Sequence, residues 1–252
     1  MLVKERHQRI LSMLDSHQVV SANELAQFLN VSRETVRRDL LDLENSGLAD
    51  RVHGGATLPN KSNEEPFDNR KVNQQRAKHD IARKAVSLVP VGGSIMVDAG
   101  TTTTAFGQAL ATLSGIMVIT NSIEIAQTIK LSGSDIDLIL IGGQMLSDVP
   151  ATYGELTLSE LKRFNVDMAF ISPVALHPEK GAFSFALKEA EVAQTMIAQT
   201  KENVILCDRT KLGNTNRVRF IESPDINYLV TDNLAKEEQI APFSQSGINV
   251  IK

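Results

Sequence analysis

Three arginines near the start of the chain have the side-chain type and the spacing that binding to a DNA duplex requires. Arg33 and Arg37 are four residues apart, so on a helix they share one face, and Arg38 lies beside them. A guanidinium group can bind guanine O6 and N7 through two hydrogen bonds, or it can clamp a phosphate. The alternative is an ordinary solvated helix whose arginines pair with the acidic residues of the same segment, Glu34, Asp39 and Asp42.

A second set of residues has the chemistry of a site for a small anionic ligand. Small or polar residues follow five aliphatic runs, at Asp98-Ala99-Gly100-Thr101-Thr102-Thr103, Thr120-Asn121-Ser122, Gly142-Gly143, Cys207-Asp208 and Thr231-Asp232. If the runs are parallel strands, these residues gather at one edge of a sheet, where open α/β sheets bind ligands. The glycine–threonine run also begins a helix, whose free N–H groups attract an anion. The alternative is that these residues only cap helices and form turns.

The residues around the arginines predict the helix that must hold them. Ser32 is suited to cap the start of a helix that runs from Arg33 to Asn45. The spacing of its aliphatic residues predicts one buried stripe, formed by Val36, Leu40 and Leu43. We therefore expect the arginines to face solvent.

Two more helices are predicted before this one. Met1–Asp15 has Ile10, Met13 and Leu14 at helical spacing, and we expect Arg6 and Arg9 to point outward. Val19-Val20 ends that helix, and Ser21-Ala22-Asn23-Glu24 is the pattern of a capping box for the next one. The buried face of the second helix is predicted to consist of Leu25, Phe28 and Leu29.

A hairpin is predicted after the three helices. Two short extended segments, Leu48–Val52 and Ala56–Leu58, flank the sequence His53-Gly54-Gly55, whose glycines permit a tight turn with φ above zero. Arg51 and His53 are expected at its tip, as in the wing of a winged helix. A plain surface turn is the alternative.

The rest of the chain predicts a linker and a larger α/β domain. The segment from Pro59 to Pro66 is polar apart from its prolines and reads as an exposed linker. Phe67–Val89 is predicted to be one long helix. Strands then alternate with helices, which indicates a mostly parallel sheet covered on both faces. The predicted strands are Ile95–Val97, Met117–Ile119, Leu138–Ile141, Met168–Ile171, Val204–Leu206, Leu229–Val230 and Ile248–Ile251, with helices at Thr104–Leu113, Ile123–Leu131 and Ala186–Gln199.

Composition narrows the class of protein. The formal net charge is −4 over 252 residues, so DNA binding must come from local placement of arginine. The single cysteine excludes an internal disulfide or a cysteine-rich zinc site and favours a reducing cytoplasm. No apolar run approaches the length of a membrane span. We expect a cytoplasmic protein without a metal, a cofactor or a membrane partner.

Three blocks of the amino-terminal segment resemble the DNA-binding domain of DeoR-type bacterial transcriptional repressors. They are Arg6-x-x-x-Ile10, Val31-Ser32-x-x-Thr35-Val36-Arg37-Arg38-Asp39-Leu40 and Arg51-Val52-His53-Gly54-Gly55-Ala56. The resemblance implies a winged helix-turn-helix domain that binds double-stranded operator DNA. The implied DNA contacts are Ser32, Arg33, Thr35, Arg37, Arg38, Arg51 and His53.

The larger domain resembles the sensor domain of the same family. The matching motifs include Asp98-x-Gly100-Thr101-Thr102-Thr103, Thr120-Asn121-Ser122, Gly154-Glu155 and Asp208-x-x-Lys211-x-Gly213. The resemblance implies a Rossmann-like fold related to ribose-5-phosphate isomerases and CoA transferases, and a phosphorylated sugar or a related metabolite as effector. The implied effector contacts are Asp98, Gly100, Thr101, Thr102, Thr103, Asn121, Ser122, Gly142, Gly143, Glu155, Glu189, Asp208 and Lys211. Ala193 and the sequence Ser172-Pro173 depart from the family pattern and predict an altered pocket.

These patterns together predict a ligand-responsive transcriptional repressor of a carbohydrate-utilisation operon. Its domains are predicted at residues 1–58 and 67–252, joined by a linker at residues 59–66, and we expect a homo-oligomer, either a dimer or a tetramer. One alternative is a sugar-phosphate isomerase with an accessory DNA-binding module. We expect no enzyme, because the Asp-Gly-Ala-Asp-Glu block of the isomerases is absent. Another alternative is an architectural DNA-binding protein whose α/β domain only oligomerises.

Overall fold

The computed structural model describes residues 3–17, 19–45, 48–52, 54–57 and 65–252. The chain divides into two compact units, Met1–Glu64 and Glu65–Lys252. Residues 59–64 of the predicted linker lie outside the described residues, as does His53. The domain limits inferred from the sequence stay predictions.

Three helices form the core of the first unit: α1 at Val3–Ser16, α2 at Ala22–Leu29 and α3 at Arg33–Asn45. Their buried residues include those predicted from periodicity, namely Ile10, Leu14, Leu25, Leu29, Val36, Leu40 and Leu43. Phe28 was predicted to be buried, but 57% of it is exposed. The eight-residue α2 buries only the narrow stripe of Leu25 and Leu29, four residues apart, and Phe28 lies beside that stripe.

The capping box at the start of α2 is confirmed. The Glu24 N–H donates to the Ser21 hydroxyl at 3.2 Å, and the Ser21 N–H donates to the Glu24 carboxylate at 2.8 Å. These two bonds satisfy backbone donors that a helix start leaves without partners. Asn30 ends the helix in the left-handed conformation, at φ 51°. The turn into α3 is therefore set by local chemistry.

A small antiparallel sheet completes the first unit. Its strands are β1 at Val19–Ser21, β2 at Asp50–Val52 and β3 at Gly55–Thr57, in the order β1-β3-β2. The hairpin of β2 and β3 was predicted, whereas the third strand was not. Gly54 has φ +84°, which an L side chain rarely adopts, and a Cβ on Gly55 would lie 2.2 Å from the Val20 carbonyl oxygen. The two glycines are thus needed for different reasons, the first for its turn and the second for the close approach of β1.

The second unit begins with two helices where the sequence predicted one. Helix α4 spans Phe67–Val72, and α5 spans Gln75–Val86. The prediction of a single helix over Phe67–Val89 is wrong because the chain turns at Gln74, which has φ 55°. Neither glycine nor proline marks this turn in the sequence.

Ten strands and five further helices follow. The strands are β4 Ser94–Val97, β5 Ile116–Thr120, β6 Ile136–Leu140, β7 Val166–Ile171, β8 Ala175–His177, β9 Gly181–Ser184, β10 Thr200–Leu206, β11 Val218–Ile221, β12 Tyr228–Val230 and β13 Asn249–Ile251. The helices are α6 Thr101–Leu110, α7 Ile123–Ser132, α8 Glu155–Leu161, α9 Leu187–Ala198 and α10 Glu237–Gln245.

Seven of these strands form one sheet in the order β13-β12-β10-β7-β4-β5-β6, and every pairing within it is parallel. All seven were predicted from aliphatic runs. Alternate residues of β4 belong to the buried clusters on opposite faces of the sheet. Ile95 and Val97 belong to the cluster that includes residues of α5, α6 and α7, whereas Met96 belongs to the cluster that includes residues of α9 and α10. This burial on both faces explains the nearly continuous aliphatic runs. The parallel α/β fold with covered faces is confirmed.

Several shorter elements were not predicted. Strands β8, β9 and β11 form a separate antiparallel sheet in the order β11-β9-β8, and α8 and α10 lie among residues that the sequence left unassigned. Each of these strands has only three or four residues. Such lengths are too short for an alternating pattern to be recognised.

Candidate DNA interface and effector site

Helix α3 holds two arginines on its solvent side. It begins at Arg33, where the Ser32 hydroxyl accepts a hydrogen bond from the Thr35 N–H at 3.1 Å and lies 2.8 Å from the Thr35 hydroxyl. Arg33 and Arg37 are exposed, and within the described part of the chain neither guanidinium makes a hydrogen bond or an ion pair. Two such groups one helical turn apart can bind phosphates or base edges in one groove.

Asp39 does not pair with the arginines of its own helix. Its carboxylate is only 2% exposed, and it accepts hydrogen bonds from Arg6 Nε and, at 2.7 Å, from Arg6 Nη2. His7 Nε2 lies 3.2 Å from the same carboxylate. The prediction that Arg6 points outward is therefore wrong, because a buried carboxylate requires a cationic partner. This ion pair fixes α1 to α3 and keeps Asp39 away from Arg37.

Two other predicted DNA contacts have distant acidic neighbours. Arg38 Nε lies 3.9 Å from Glu34, and Arg51 Nη1 lies 3.7 Å from Glu44, with all four side chains exposed. Exposed pairs of this kind contribute about 0–1 kcal/mol, so a phosphate can replace the carboxylate. Arg51 lies within β2 rather than at the hairpin tip. His53 lies outside the described residues.

In the second unit, the strand order reverses beside β4, and the space outside the carboxyl ends of the strands at this point is called the effector crevice below. From β4 the sheet grows through β5 and β6 on one side, and the chain then returns to add β7 and β10 on the other side. Open α/β sheets bind ligands at such a switch point, outside the carboxyl ends of the strands. The loop after β4 meets the loop after β7 here, since a Cβ on Gly100 would lie 3.4 Å from Ser172 Cβ.

Two carboxyl groups of the predicted effector site have raised pKa values. Burial raises the pKa of Asp98 to about 8, the negative charge of Glu189 adds to the rise, and a hydrogen bond from the Ala99 N–H at 2.7 Å opposes it. Burial also raises the pKa of Glu189, whose carboxylate accepts the Ala186 N–H at 3.3 Å. At neutral pH Asp98 is therefore mostly protonated and can donate a hydrogen bond to a ligand oxygen.

Two buried oxygen atoms at the same edge have no hydrogen-bond partner among the described residues. They are Thr102 Oγ1 and Asn121 Oδ1, and both residues are 0% exposed. The Asn121 amide nitrogen donates to the Thr152 carbonyl at 3.1 Å, which leaves Oδ1 as an acceptor. Buried polar atoms without partners are uncommon in proteins and cost stability, so both atoms are suited to hydrogen-bond a ligand. Ser147 Oγ and Thr231 Oγ1 share this property.

Other predicted effector contacts already have structural roles. The Thr103 hydroxyl donates to the Gly100 carbonyl at 3.0 Å, and the Ser122 hydroxyl caps α7 by accepting the Ile125 N–H at 3.3 Å. Asp208 is buried and accepts the N–H and the hydroxyl of its neighbour in the loop, Thr210. Thr101 is buried at the first position of α6, where no side chain caps the helix.

The remaining predicted contacts lie at the outer side of the sheet. Gly142, Gly143 and Glu155 are exposed, close to the edge strand β6. A Cβ on Gly143 would lie 2.0 Å from Thr157 Oγ1, and the Thr157 hydroxyl donates to the Gly142 carbonyl at 2.8 Å. Packing against α8 therefore accounts for Gly143 without a ligand, whereas nothing lies within 4 Å of a Cβ on Gly142.

One charged residue of this region was missed in the sequence. Lys78 is 5% exposed, and it lies close enough to Lys211 and Asp208 for their charges to affect its pKa, which burial lowers to about 8. Lys211 Nζ donates to the Pro173 carbonyl at 2.8 Å, in the loop after β7. The signal was present, because Lys78 shares one helical stripe with the buried residues Ile81, Ala82 and Ala85. The site thus has two neighbouring lysines.

A cleft lies at the opposite ends of the strands, near the amino ends of β4 and β5. Three carboxylates line it, from Asp135, Asp137 and Asp167. Hydrogen bonds from Lys201 and from Ser94 hold the pKa of Asp167 at about 2. A negatively charged lining disfavours a phosphate, so this cleft does not fit the predicted effector.

Three further observations concern a reactive thiol, a metal site and a membrane span. Cys207 follows β10, is completely buried, and has a pKa that burial raises far above its ordinary value. Across the described residues, no group of histidines, cysteines and carboxylates is placed to hold a metal ion. None of the helices in that part of the chain is long and apolar enough to cross a membrane.

Comparison with known families gives two matches along the chain. Residues 6–62 match the DeoR-like helix-turn-helix domain, and residues 73–233 match the DeoR C terminal sensor domain. Among curated proteins, the glycerol-3-phosphate regulon repressor of Escherichia coli K12 is 30% identical over 228 residues, which cover 90% of each chain. The HTH-type transcriptional repressor GlcR of Bacillus subtilis 168 is 31% identical over 252 residues, covering 100% of this chain and 96% of that one.

Solved structures show more distant similarity. The ribose 5-phosphate isomerase A of Methanocaldococcus jannaschii has 19% identity and a TM-score of 0.40 over 55% of each chain. The eIF2B beta subunit of Chaetomium thermophilum has 14% identity and a TM-score of 0.49, over 97% of this chain and 69% of that one. Nothing about chemistry follows from similarity at this level.

Proposed function

The chain belongs to the DeoR family of DNA-binding transcriptional regulators, and from this premise we propose that it represses a carbohydrate-utilisation operon in response to a phosphorylated sugar or a related metabolite. The names of two relatives support the proposal, since one is a glycerol-3-phosphate regulon repressor and the other a transcriptional repressor. Both relatives match this chain over at least 90% of its length. The effector would change the affinity of the protein for its operator.

The exposed face of α3 is the proposed reader of operator DNA. Arg33 and Arg37 have no acidic partner in the described part of the chain, and Arg38 and Arg51 have only weak ones. Ser32 and Thr35 lie at the start of the helix, where hydroxyl groups and free N–H groups can contact phosphate. A helix-turn-helix protein reads two half-sites as a symmetric dimer, so we also propose that this chain forms a homo-oligomer.

The observation that carries the effector proposal is the crevice beside β4, which combines cationic and uncharged polar groups. Lys78 and Lys211 would bind an anionic phosphate, with help from the first N–H groups of α6. Thr102, Asn121 and the protonated Asp98 would bind hydroxyl groups of the sugar. A phosphorylated polyol has both kinds of group.

Thermal unfolding with a panel of ligands tests this proposal. The panel contains glycerol 3-phosphate, glucose 6-phosphate and fructose 1-phosphate, each beside its unphosphorylated parent. A ligand at about 100 times its Kd stabilises the native state by ~2.7 kcal/mol, which raises the Tm. We expect a shift with a phosphorylated compound and none with its parent. Failure of the whole panel would contradict the effector class.

Two lysine variants test at which ends of the strands the phosphate binds. At a ligand concentration that saturates the wild type, Lys211→Ala should abolish the Tm shift through weaker binding, while the protein still binds its operator, because the effector acts only through different affinities for two states. Lys201→Ala is the matched control, since its ammonium pairs with Asp167 at the opposite edge of the sheet. Equal shifts in the two variants would place the phosphate elsewhere. An operator for these measurements can be selected from random duplexes with the wild-type protein.

A sugar-phosphate isomerase is the second candidate, and one observation favours it. The pKa of Asp98, about 8, lies in the range of a general base that works near neutral pH. An isomerase would abstract a carbon-bound proton, so its substrate would exchange that proton for deuterium in D2O. We expect no exchange by NMR with any ligand that raises the Tm. Exchange that is lost in Asp98→Asn would establish the enzyme instead.

A further inference from the structure

Lys78 contacts the end of α4 and lies within range of the charges of Lys211 and Asp208 in the proposed effector crevice. Its Nζ donates to the Arg70 carbonyl and, at 2.7 Å, to the Asn73 carbonyl. Both carbonyls lie at the carboxyl end of α4, where a helix leaves its last acceptors without backbone partners. A cation there also interacts favourably with the helix dipole. Lys78 therefore fastens α4 to α5 across the turn at Gln74.

The same ammonium group has capacity for one more acceptor. An ammonium has three N–H donors, and two of them are used by the carbonyls at the end of α4. Lys78 also lies near Lys211, and the positive charge of Lys211 opposes the charged form of Lys78, lowering its pKa in addition to the effect of burial. An anion between the two lysines would remove this repulsion and accept the third hydrogen bond.

Helix α4 is the first described helix after the predicted linker at residues 59–66. It has only six residues, too few for a helix to be stable by itself. Its other attachments include the buried Phe67 side chain, the Phe67 N–H, which donates to Asp148 at 2.7 Å, and Lys71, which pairs with Glu124 at 2.7 Å. These attachments hold the first part of α4, whereas the Lys78 contacts lie at its carboxyl end.

We propose that Lys78 couples occupancy of the effector crevice to the order of α4, by sharing one ammonium group between the effector's anion and the carboxyl-terminal carbonyls of that helix. A bound anion holds the ammonium charged and in place, and hydrogen bonds from a charged donor are the stronger kind. The last turn of α4 then opens less often. The effector signal thereby reaches the helix that follows the linker. The inference rests on the proposed effector site and adds the first step of its regulation.

Amide hydrogen exchange on the full-length protein tests the coupling. The probes are inorganic phosphate, as the minimal anion, and glucose 6-phosphate, each at saturation in a prior titration of the same variant. In the wild type, we expect exchange at residues 70–73 to slow between about twofold and tenfold, the range that one hydrogen bond is worth. Lys78→Met keeps the buried stem but has no donor, so saturating ligand should leave this exchange unchanged.

Lys211→Met is the matched second variant. It removes the other lysine of the crevice but leaves the contacts of Lys78 with α4 in place. We expect weaker binding, with full slowing at residues 70–73 once the site is saturated. This comparison with the wild type stands even if Lys78→Met does not fold. If Lys78 is only structural, saturating ligand should not change amide exchange at residues 70–73 in the wild type or in Lys211→Met.

The outcomes separate the two proposals. If a probe binds the wild type and Lys211→Met weakens that binding, but exchange at residues 70–73 does not change, the coupling is overturned and the effector site stands. If neither probe binds the wild type, the effector site and the coupling both fail. Slowing that persists in Lys78→Met would show that another contact orders α4, which also overturns the inference.

Discussion

The proposed DNA interface and the proposed effector site place their charged residues in opposite ways. In the first unit the arginines of α3 are exposed, and the buried carboxylate of that helix, Asp39, has a full cationic partner in Arg6. In the second unit, Asp98 and Lys78 are buried without an opposite charge in direct contact, and their pKa values are both displaced to about 8. The first arrangement is ready to bind a polyanion without rearrangement. The second arrangement costs stability, and the proposed effector would reduce that cost by binding these groups.

Removing Asp39 should have the largest effect on stability. Breaking one side of a buried ion pair leaves an uncompensated charge and costs about 3–5 kcal/mol, so Asp39→Ala should unfold the first unit preferentially. Peptide-resolved hydrogen exchange should show faster exchange across residues 3–57 and unchanged exchange across 65–252. Glu34→Ala is the control, because Glu34 is an exposed acid of the same helix. If both variants behave alike, Asp39 is not the structural acid of α3.

Asp98→Asn should stabilise the second unit in a pH-dependent way. The pKa of Asp98 in the folded protein, about 8, is above its ordinary value of 3.8, so folding favours the protonated form and stability is lost as the pH rises from about 4 to 8. Asparagine imitates the protonated form at every pH. One pKa unit corresponds to ~1.4 kcal/mol, and relaxation around a buried charge reduces the total, so we expect a gain of about 3 kcal/mol at pH 8.

Thermal unfolding at pH 5 and pH 8 measures this gain. The difference in Tm between Asp98→Asn and the wild type should be small at pH 5 and should widen toward pH 8. A difference that is the same at both values would mean that Asp98 is already ionised in the folded protein. The contrast between a paired and an unpaired buried carboxylate would then disappear.

Arg37→Ala should weaken operator binding without any loss of stability. Arg37 is exposed and has no partner in the described part of the chain. A lost base contact costs about 1–3 kcal/mol and relaxes specificity at one position, whereas a lost phosphate contact reduces the salt dependence of binding. Arg9→Ala provides the control, since Arg9 is an exposed arginine of α1 that pairs with Glu5 at 3.0 Å. Wild-type binding by Arg37→Ala in a gel-shift titration would exclude α3 as the reader.

Ser32 should show the smallest effect, because its hydroxyl already has a structural role. Ser32→Ala removes the cap of α3 and should cost about 1 kcal/mol of stability. Ser32→Asp keeps the cap but adds a negative charge, so it should retain stability and lose operator affinity if Ser32 lies near a phosphate. Urea unfolding and gel-shift titration of both variants separate these roles. Unchanged operator affinity in Ser32→Asp would remove Ser32 from the interface.

The elements that were predicted correctly from the sequence are those whose pattern lies within a single helix or strand. The stripe of Val36, Leu40 and Leu43 and the capping box at Ser21 follow from spacings within one helix, and both are confirmed. The seven parallel strands were recognisable from their aliphatic runs. The inner strands are largely buried, whereas the edge strands β6 and β13 contain no fully buried residue. The left-handed Gln74 had no such signal, since only tertiary contacts of α4 and α5 stabilise its conformation.

The effector crevice was harder to predict because it joins distant segments. The loops after the strands identified its edge, but no spacing indicated that Arg6 would pair with Asp39 or that Lys78 would lie near Lys211. Glu155 belongs to a matching motif, yet it is exposed and lies near the edge strand, so its role in binding an effector stays a prediction. A charged residue on the apolar stripe of a helix, as at Lys78, is the sequence pattern that indicates a buried charge and therefore a candidate ligand site.

The rate at which a thiol reagent labels Cys207 can measure local opening of the second unit. It is the only thiol in the chain, it lies at the carboxyl end of β10, and it is completely buried with its thiolate disfavoured. A thiol reagent can therefore modify it only in molecules whose sheet edge has opened, because the thiolate is the reactive form. When reclosing is faster than modification, the labelling rate reports the free energy of that opening. The labelling rate of the wild-type protein thus measures how often the sheet opens locally at the ends of the strands that border the proposed effector crevice.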